Sequence, residues 1–178
     1  MPAIFTTANR VHNLIKLRDE SNLFLALGKY QTEWDDSENP PTPLVTQTEV
    51  EELIYIKKIT VKHAIVDEDP YDAYSASVTI NGVDYDYVDD DDTLYDDLVL
   101  KLYVSAQISF DDIAPTDTTY RQVGILLNPK DSSGNLLTDG EYLAADVADQ
   151  GQLIYVGNFI GVTRDDSQQE KFDIIVNF

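Results

Sequence analysis

Leu98-Val-Leu-Lys-Leu-Tyr-Val-Ser-Ala-Gln-Ile-Ser-Phe110 is the stretch that decides the fold. Leu98, Leu100, Leu102, Val104, Ala106, Ile108 and Phe110 alternate with Val99, Lys101, Tyr103, Ser105, Gln107 and Ser109. Successive side chains of a strand point to opposite faces, so this alternation predicts a strand in a sheet with one buried face. Upstream, Ile59, Val61, His63 and Ile65 alternate with Lys58, Thr60, Lys62 and Ala64 and predict another strand. Ala76, Val78 and Ile80 share a face of Ser75–Ile80. Asn81-Gly82 then supplies a hairpin turn, because both residues tolerate positive φ. Val83, Tyr85 and Tyr87 line the return strand against Asp84 and Asp86. Downstream, Tyr120–Leu127 and Leu153–Val162 read as strands, and Phe172, Ile174, Val176 and Phe178 place the last one on a core face.

The N-terminal part differs. Thr6 and Thr7 are candidate caps for a helix over about Ala8–Glu20, with Ala8, Val11, Leu14, Ile15 and Leu17 along one stripe. Leu23-Phe-Leu-Ala-Leu27, ended by Gly28, predicts a buried strand. Thr48 and Glu51 have capping-box spacing, which predicts a short helical turn. Many strands, one helix and no βαβ alternation give a mainly β, antiparallel β-sandwich. The expectation is a single domain over residues 1–178.

Residues 31–47 fit neither period. They hold the only tryptophan, Trp34, then Asp35 and Asp36, and the run Asn39-Pro40-Pro41-Thr42-Pro43. Proline lacks an N–H and restricts the residue before it, so this is an extended arm rather than a helix or central strand. Trp34 has two readings, burial against a partner or packing on its own sandwich.

Composition narrows the function. The formal net charge is −21, with 33 acidic and 12 basic residues. That disfavours nucleic-acid backbones and anionic membranes as partners. No cysteine is present, so thiolate metal sites and disulfides are excluded. No run approaches the ~20 apolar residues that span a bilayer, and residues 1–5 are too short for a signal-peptide core. A soluble chain made in a cytoplasm is expected.

Candidate chemistry is sparse. Between Asp67 and Asp112 stand 14 acidic residues and one basic one, Lys101, with Asp89-Asp90-Asp91-Asp92 at the centre. Calcium loops need ligands alternating around a turn, as in D-x-D-x-D-G, and this run lacks that spacing. It reads as a solvated, self-repelling loop, with a divalent site as the competing reading. His12 and His63, without cysteines, read as core or interface residues rather than zinc ligands. Gly-x-Ser-x-Gly, His-Glu-x-x-His and phosphate-loop patterns are absent, so no catalytic residue and no cofactor are assigned. The eleven tyrosines fit core packing or an aromatic interface.

Three stretches, in order, carry a resemblance. They are the apolar strand with Gly28, Trp34-Asp35-Asp36 and Asn39–Pro43; Tyr120-Arg-Gln-Val-Gly-Ile-Leu-Leu-Asn-Pro129; and Gly151-Gln-Leu-Ile-Tyr-Val156 with Thr163-Arg164, Gln168 or Gln169, Glu170 and Ile174–Phe178. Gly82-Val-Asp-Tyr85-Asp-Tyr87 adds a weaker fourth match. Together they resemble the baseplate wedge proteins of contractile-tailed bacteriophages, in particular the β-rich wedge subunit eight family. The chain is shorter than that family's best-known member, and its Gly157-Asn158-Phe159 differs from the expected Asn-Arg.

The resemblance implies a virion structural protein without enzymatic activity. It would join other wedge and tail proteins, often paired with a second copy. The candidate subunit contacts are Trp34, Asn39, Pro40, Pro41 and Pro43 on the arm, and Arg164, Gln168 and Glu170 before the last strand. For the latter three, a solvated loop is the equally weighted alternative. The competing functions are an acidic DNA-mimic inhibitor and a calcium-dependent β-sandwich binding module.

Overall fold

The computed structural model describes residues 6–29, 39–68, 76–113 and 118–178. Trp34 and the first part of the expected arm lie outside these residues. In chain order the elements are α1 (Thr7–Asp19), β1 (Leu23–Gly28), β2 (Leu53–Lys58), β3 (Val61–Asp67), β4 (Ser77–Ile80), β5 (Val83–Val88) and α2 (Asp91–Asp96). There follow β6 (Lys101–Ser109), β7 (Thr118–Leu127), β8 (Glu141–Leu143), β9 (Gln152–Arg164) and β10 (Gln169–Asn177). The chain is mainly β, with two five-stranded antiparallel sheets ordered β8-β2-β1-β7-β9 and β10-β6-β3-β5-β4.

Two compact units share the chain. One comprises Met1–Ser21, Thr60–Ser105 and Asp173–Phe178; the other comprises Asn22–Ile59 and Ala106–Phe172. In the first, Thr6 caps α1 by accepting from the Asn9 N–H at 3.3 Å, and Val11, Leu14 and Leu17 form its buried stripe. α1 packs on β3 and α2. Asn81 and Gly82 take φ of 52° and 79° between β4 and β5, as their turn requires. Ile65, Ile80 and Tyr103 form the buried cluster, with Val78, Tyr85, Tyr87 and Ile175 packed on it.

In the second unit, β1 is buried along its whole length, as a central strand of apolar residues should be. Phe24, Ala26 and Gly28 share one face. Across from them in register stand Leu126, Gly124 and Gln122 of β7 and, on β2, Ile56 and Leu53. Val50 and Leu137, from the connecting segments, complete the cluster on this face with Phe24, Ala26, Ile56 and Leu126.

Four expectations are corrected. The strand expected from Lys58 onward begins at Val61 as β3; Lys58 instead closes β2, a strand not read from the sequence, and the two are separated at Ile59-Thr60, where the Ile59 N–H donates to the Leu23 carbonyl at 2.9 Å. The strand expected from Leu98 begins at Lys101. Leu98 has φ 52° and is 49% exposed, because it turns the chain out of α2 while the Val99 N–H closes on the Leu94 carbonyl at 3.0 Å. Farther along, residues 102–106 are buried on both faces rather than one. Around Thr48 and Glu51 the chain bends instead of forming a helical turn. Its backbone groups there are taken by side chains of distant strands and loops, described next.

Candidate interaction surface

The second half of the arm enters the sheet through a relay of neutral amides. Gln122 on β7 is fully buried. Its Oε1 accepts from the Glu51 N–H at 2.8 Å, and its Nε2 donates to Asn158 Oδ1 on β9 at 2.8 Å. Asn158 Nδ2 in turn donates to the Pro41 carbonyl at 2.8 Å. A second amide, Gln150, accepts from the Val50 N–H at 2.8 Å and donates to the Val50 carbonyl at 2.9 Å, copying a backbone ladder. The segment from Pro41 to Glu51 is thus tied to β7, to β9 and to the loop before β9.

Between these ties the Val50 side chain enters a recess that only glycine leaves open. A Cβ on Gly28 or on Gly124 would come within 2.5 Å of a Val50 methyl. Val50 is 1% exposed as a result. The Lys29 N–H donates to the Glu52 carbonyl at 3.1 Å and closes the base from the other side.

Beyond the ties, a turn closed by the Gln47 N–H on the Leu44 carbonyl at 3.0 Å lifts two apolar side chains into solvent. Leu44 is 72% exposed and Val45 fully so. Asn39 is exposed, and Pro40, Pro41 and Pro43 are half-buried. A cleft of about 480 Å³ runs from Leu44 along the segment to Leu53, with Gln150 in its wall.

Arg164, Gln168 and Glu170 come together around the short connection from β9 to β10, but only Gln168 stands in a loop; Arg164 closes β9 and Glu170 lies within β10. Arg164 grips Glu170 with a fork, Nε to Oε2 at 2.9 Å and Nη2 to Oε1 at 3.2 Å. The Tyr120 hydroxyl donates to the same Oε2 at 2.8 Å. Burial first, then the Glu170 carboxylate, pushes the Tyr120 phenol well above its ordinary value. Phe110 stacks on the Tyr120 ring at 6.2 Å between centroids, and Phe172 meets it edge-on at 5.7 Å. Gln168 Oε1 accepts from the Asp165 N–H at 3.0 Å. Two bonds from Ser167 hold the Asp165 carboxyl below its usual range. This end of β9 is a closed polar clasp, six residues along the strand from Asn158.

The acidic run is ordered rather than a self-repelling loop. Asp90 caps α2, accepting from the Thr93 N–H at 2.9 Å and from its hydroxyl at 2.8 Å, which lowers its pKa. Asp91 and Asp92 fall in the helix's first turn, where the backbone dipoles favour negative charge. Arg18 of α1 reaches Asp91 at 2.7 Å and the Asp89 carbonyl at 3.3 Å. His63 stacks on Tyr87 at 4.1 Å and faces Asp89 at 3.5 Å, and His12 Nδ1 meets the Tyr95 hydroxyl at 3.2 Å. Among the described residues, no group of three or more histidines and carboxylates is placed to hold a metal ion.

Sequence reasoning missed Gln122, Gln150, Asn158 and Val50, and the exposed pair Leu44-Val45. Gly124 inside a predicted strand was a usable signal, since an interior strand glycine marks close approach by another chain segment.

Comparison with known proteins agrees with the resemblance read from the motifs. A family model described as "Baseplate wedge 3 tail fiber network component" matches residues 2–178. The chain is also similar to "Virion protein 3" of Enterococcus phage phiEF24C. They are 31% identical over 160 residues, which cover 88% of this chain and 84% of that protein.

Proposed function

Since this chain belongs to the baseplate wedge 3 tail fiber network component family, a structural family of the phage virion, we propose that it joins neighbouring baseplate subunits through the base of its proline arm. Family membership makes other baseplate and tail proteins its partners. The observation that carries the finer reading is the amide relay from Gln122 through Asn158 to Pro41. Fixing backbone costs about 1–2 kcal/mol per residue, and a segment already tied down and stiffened by proline leaves less of that cost to docking. Leu44 and Val45 stand outside the ties in water. Burying an aliphatic side chain of this size contributes roughly 1.5–3 kcal/mol, so a partner that covers both gains from the contact.

In this reading Trp34, Asn39, Pro40, Pro41 and Pro43 belong to the same contact as Leu44 and Val45. Arg164, Gln168 and Glu170 form a second contact at the far end of β9, where arginine is a favoured anchor. The same reading takes residues 1–178 as one folding domain of the β-sandwich class, with 31–47 as the arm. In support, the chain passes four times between the two units, and β6 and β10 each contribute residues to both. The role is mechanical and involves no catalysis.

The test is removal of Gln31–Pro43. The variant should keep a single cooperative unfolding transition and fail to enter the tail when it is the only copy supplied to assembling phage. Normal entry would overturn the arm's role.

A further inference from the structure

Sheet edges are where a chain either repels or recruits another strand, and the four edges described here are unequal. β8 has three residues, one of them Glu141, and β4 has four. β10 carries Glu170, Lys171 and Asp173 within its nine residues. Short length and charge are the usual means of blunting an edge. β9 has neither. It runs for 13 residues, Gln152-Leu-Ile-Tyr-Val-Gly-Asn-Phe-Ile-Gly-Val-Thr-Arg164, roughly 40 Å, with no proline and no charge before Arg164 at its end. In a chain with 33 acidic residues among 178, Gln152–Arg164 holds no carboxylate.

β9 also carries a bulge. It pairs with β7 at Val162 opposite Tyr120 and again at Asn158 opposite Gln122, so Phe159, Ile160 and Gly161 stand against Arg121 alone. The extra residues push two large apolar side chains outward, Phe159 at 42% and Ile160 at 50% exposure. Bulges re-aim side chains, and here they are aimed at solvent beside an edge that no described strand covers.

We propose that β9 is a strand-acceptor edge, and that its occupant is an extended segment of a different polypeptide, alternately apolar and net positive. Main-chain hydrogen bonds along the edge supply affinity, and Phe159 and Ile160 supply side-chain contact. The occupant is a different polypeptide because a second copy would bring a second body of charge −21 against the first. It is positive because that complements a chain of net charge −21. The inference takes from the assembly reading only its setting, the tail.

Two measurements test it. In a cryo-EM map of intact tails, a strand of another polypeptide should lie hydrogen-bonded along Gln152–Asn158. A solvent-facing edge, a second copy, or a segment of this same chain in that place would overturn the proposal. In parallel, Phe159→Lys with Ile160→Lys changes two exposed side chains. It should leave the melting temperature unchanged and lower incorporation into tails by about tenfold or more, since edge lysines oppose strand addition and repel a basic segment. Incorporation at parity would overturn it. The arm deletion removes the Pro41 carbonyl from Asn158 but leaves Phe159 and Ile160 in place: failure there with a wild-type result for the lysine variant supports the arm and rejects the edge, and the reverse pattern rejects the arm alone.

Discussion

Two polar regions of this molecule hold non-repetitive chain in place by opposite means. At the arm base, neutral amides of Gln122, Asn158 and Gln150 bond backbone groups in buried or half-buried surroundings. At the acidic run, charged groups of Arg18 and Asp91 and the Asp90 cap do so at the surface. A neutral hydrogen bond is modest in net worth, yet a buried group left without its partner costs about 1–3 kcal/mol. An exposed ion pair is worth about 0–1 kcal/mol and weakens with salt. The difference teaches where rigidity is kept. The segment proposed to meet a neighbouring subunit is fixed by bonds that salt does not loosen, while the most charged stretch is fixed by bonds that it does.

Gln122→Leu should break this comparison with the largest effect. It orphans the Glu51 N–H and the Asn158 carbonyl oxygen together, an expected loss of about 2–3 kcal/mol. In a domain of this size that lowers the melting temperature by roughly 5–10 °C. The loss should be the same at low and high salt, and proteolysis should become faster between Asn39 and Thr48. A salt-dependent loss, or none, would contradict the buried relay. Asp91→Asn sharpens the other side. It should cost under about 1 kcal/mol at low ionic strength, and the difference from wild type should vanish at high salt. Urea melts of both variants at two salt concentrations would read the contrast directly.

Legibility in the sequence followed the same division between local and distant causes. Thr6 as helix cap, Asn81-Gly82 as hairpin and Leu23–Leu27 as buried strand were readable because each is settled by residues a few positions apart. Leu98–Phe110 was readable as a strand but not as one buried on both faces, because alternation says nothing of what covers the polar side. Gln122 shows the limit most clearly. Within Tyr120-Arg-Gln-Val it looks like the outward side of a strand, yet it is fully buried beneath Glu51 and Asn158, 71 and 36 residues away. The acidic run misled for the opposite reason. Four consecutive aspartates suggest repulsion, but Asp90 as a cap, the helix dipole and Arg18 from 73 positions earlier turn that charge to local use. Leu44 and Val45, isolated between proline and polar residues, carry no periodic signal at all.

The central claim is that this chain meets its neighbour through the apolar turn held up by the arm base. The most direct test is competition during tail assembly between wild type and a Leu44→Ser, Val45→Ser variant. Both changed side chains are exposed, so the variant should melt with the wild type. The account predicts that it is nevertheless excluded from purified tails by a factor of about ten or more, the loss of two buried aliphatic contacts. Incorporation of the two proteins in equal amounts would contradict it.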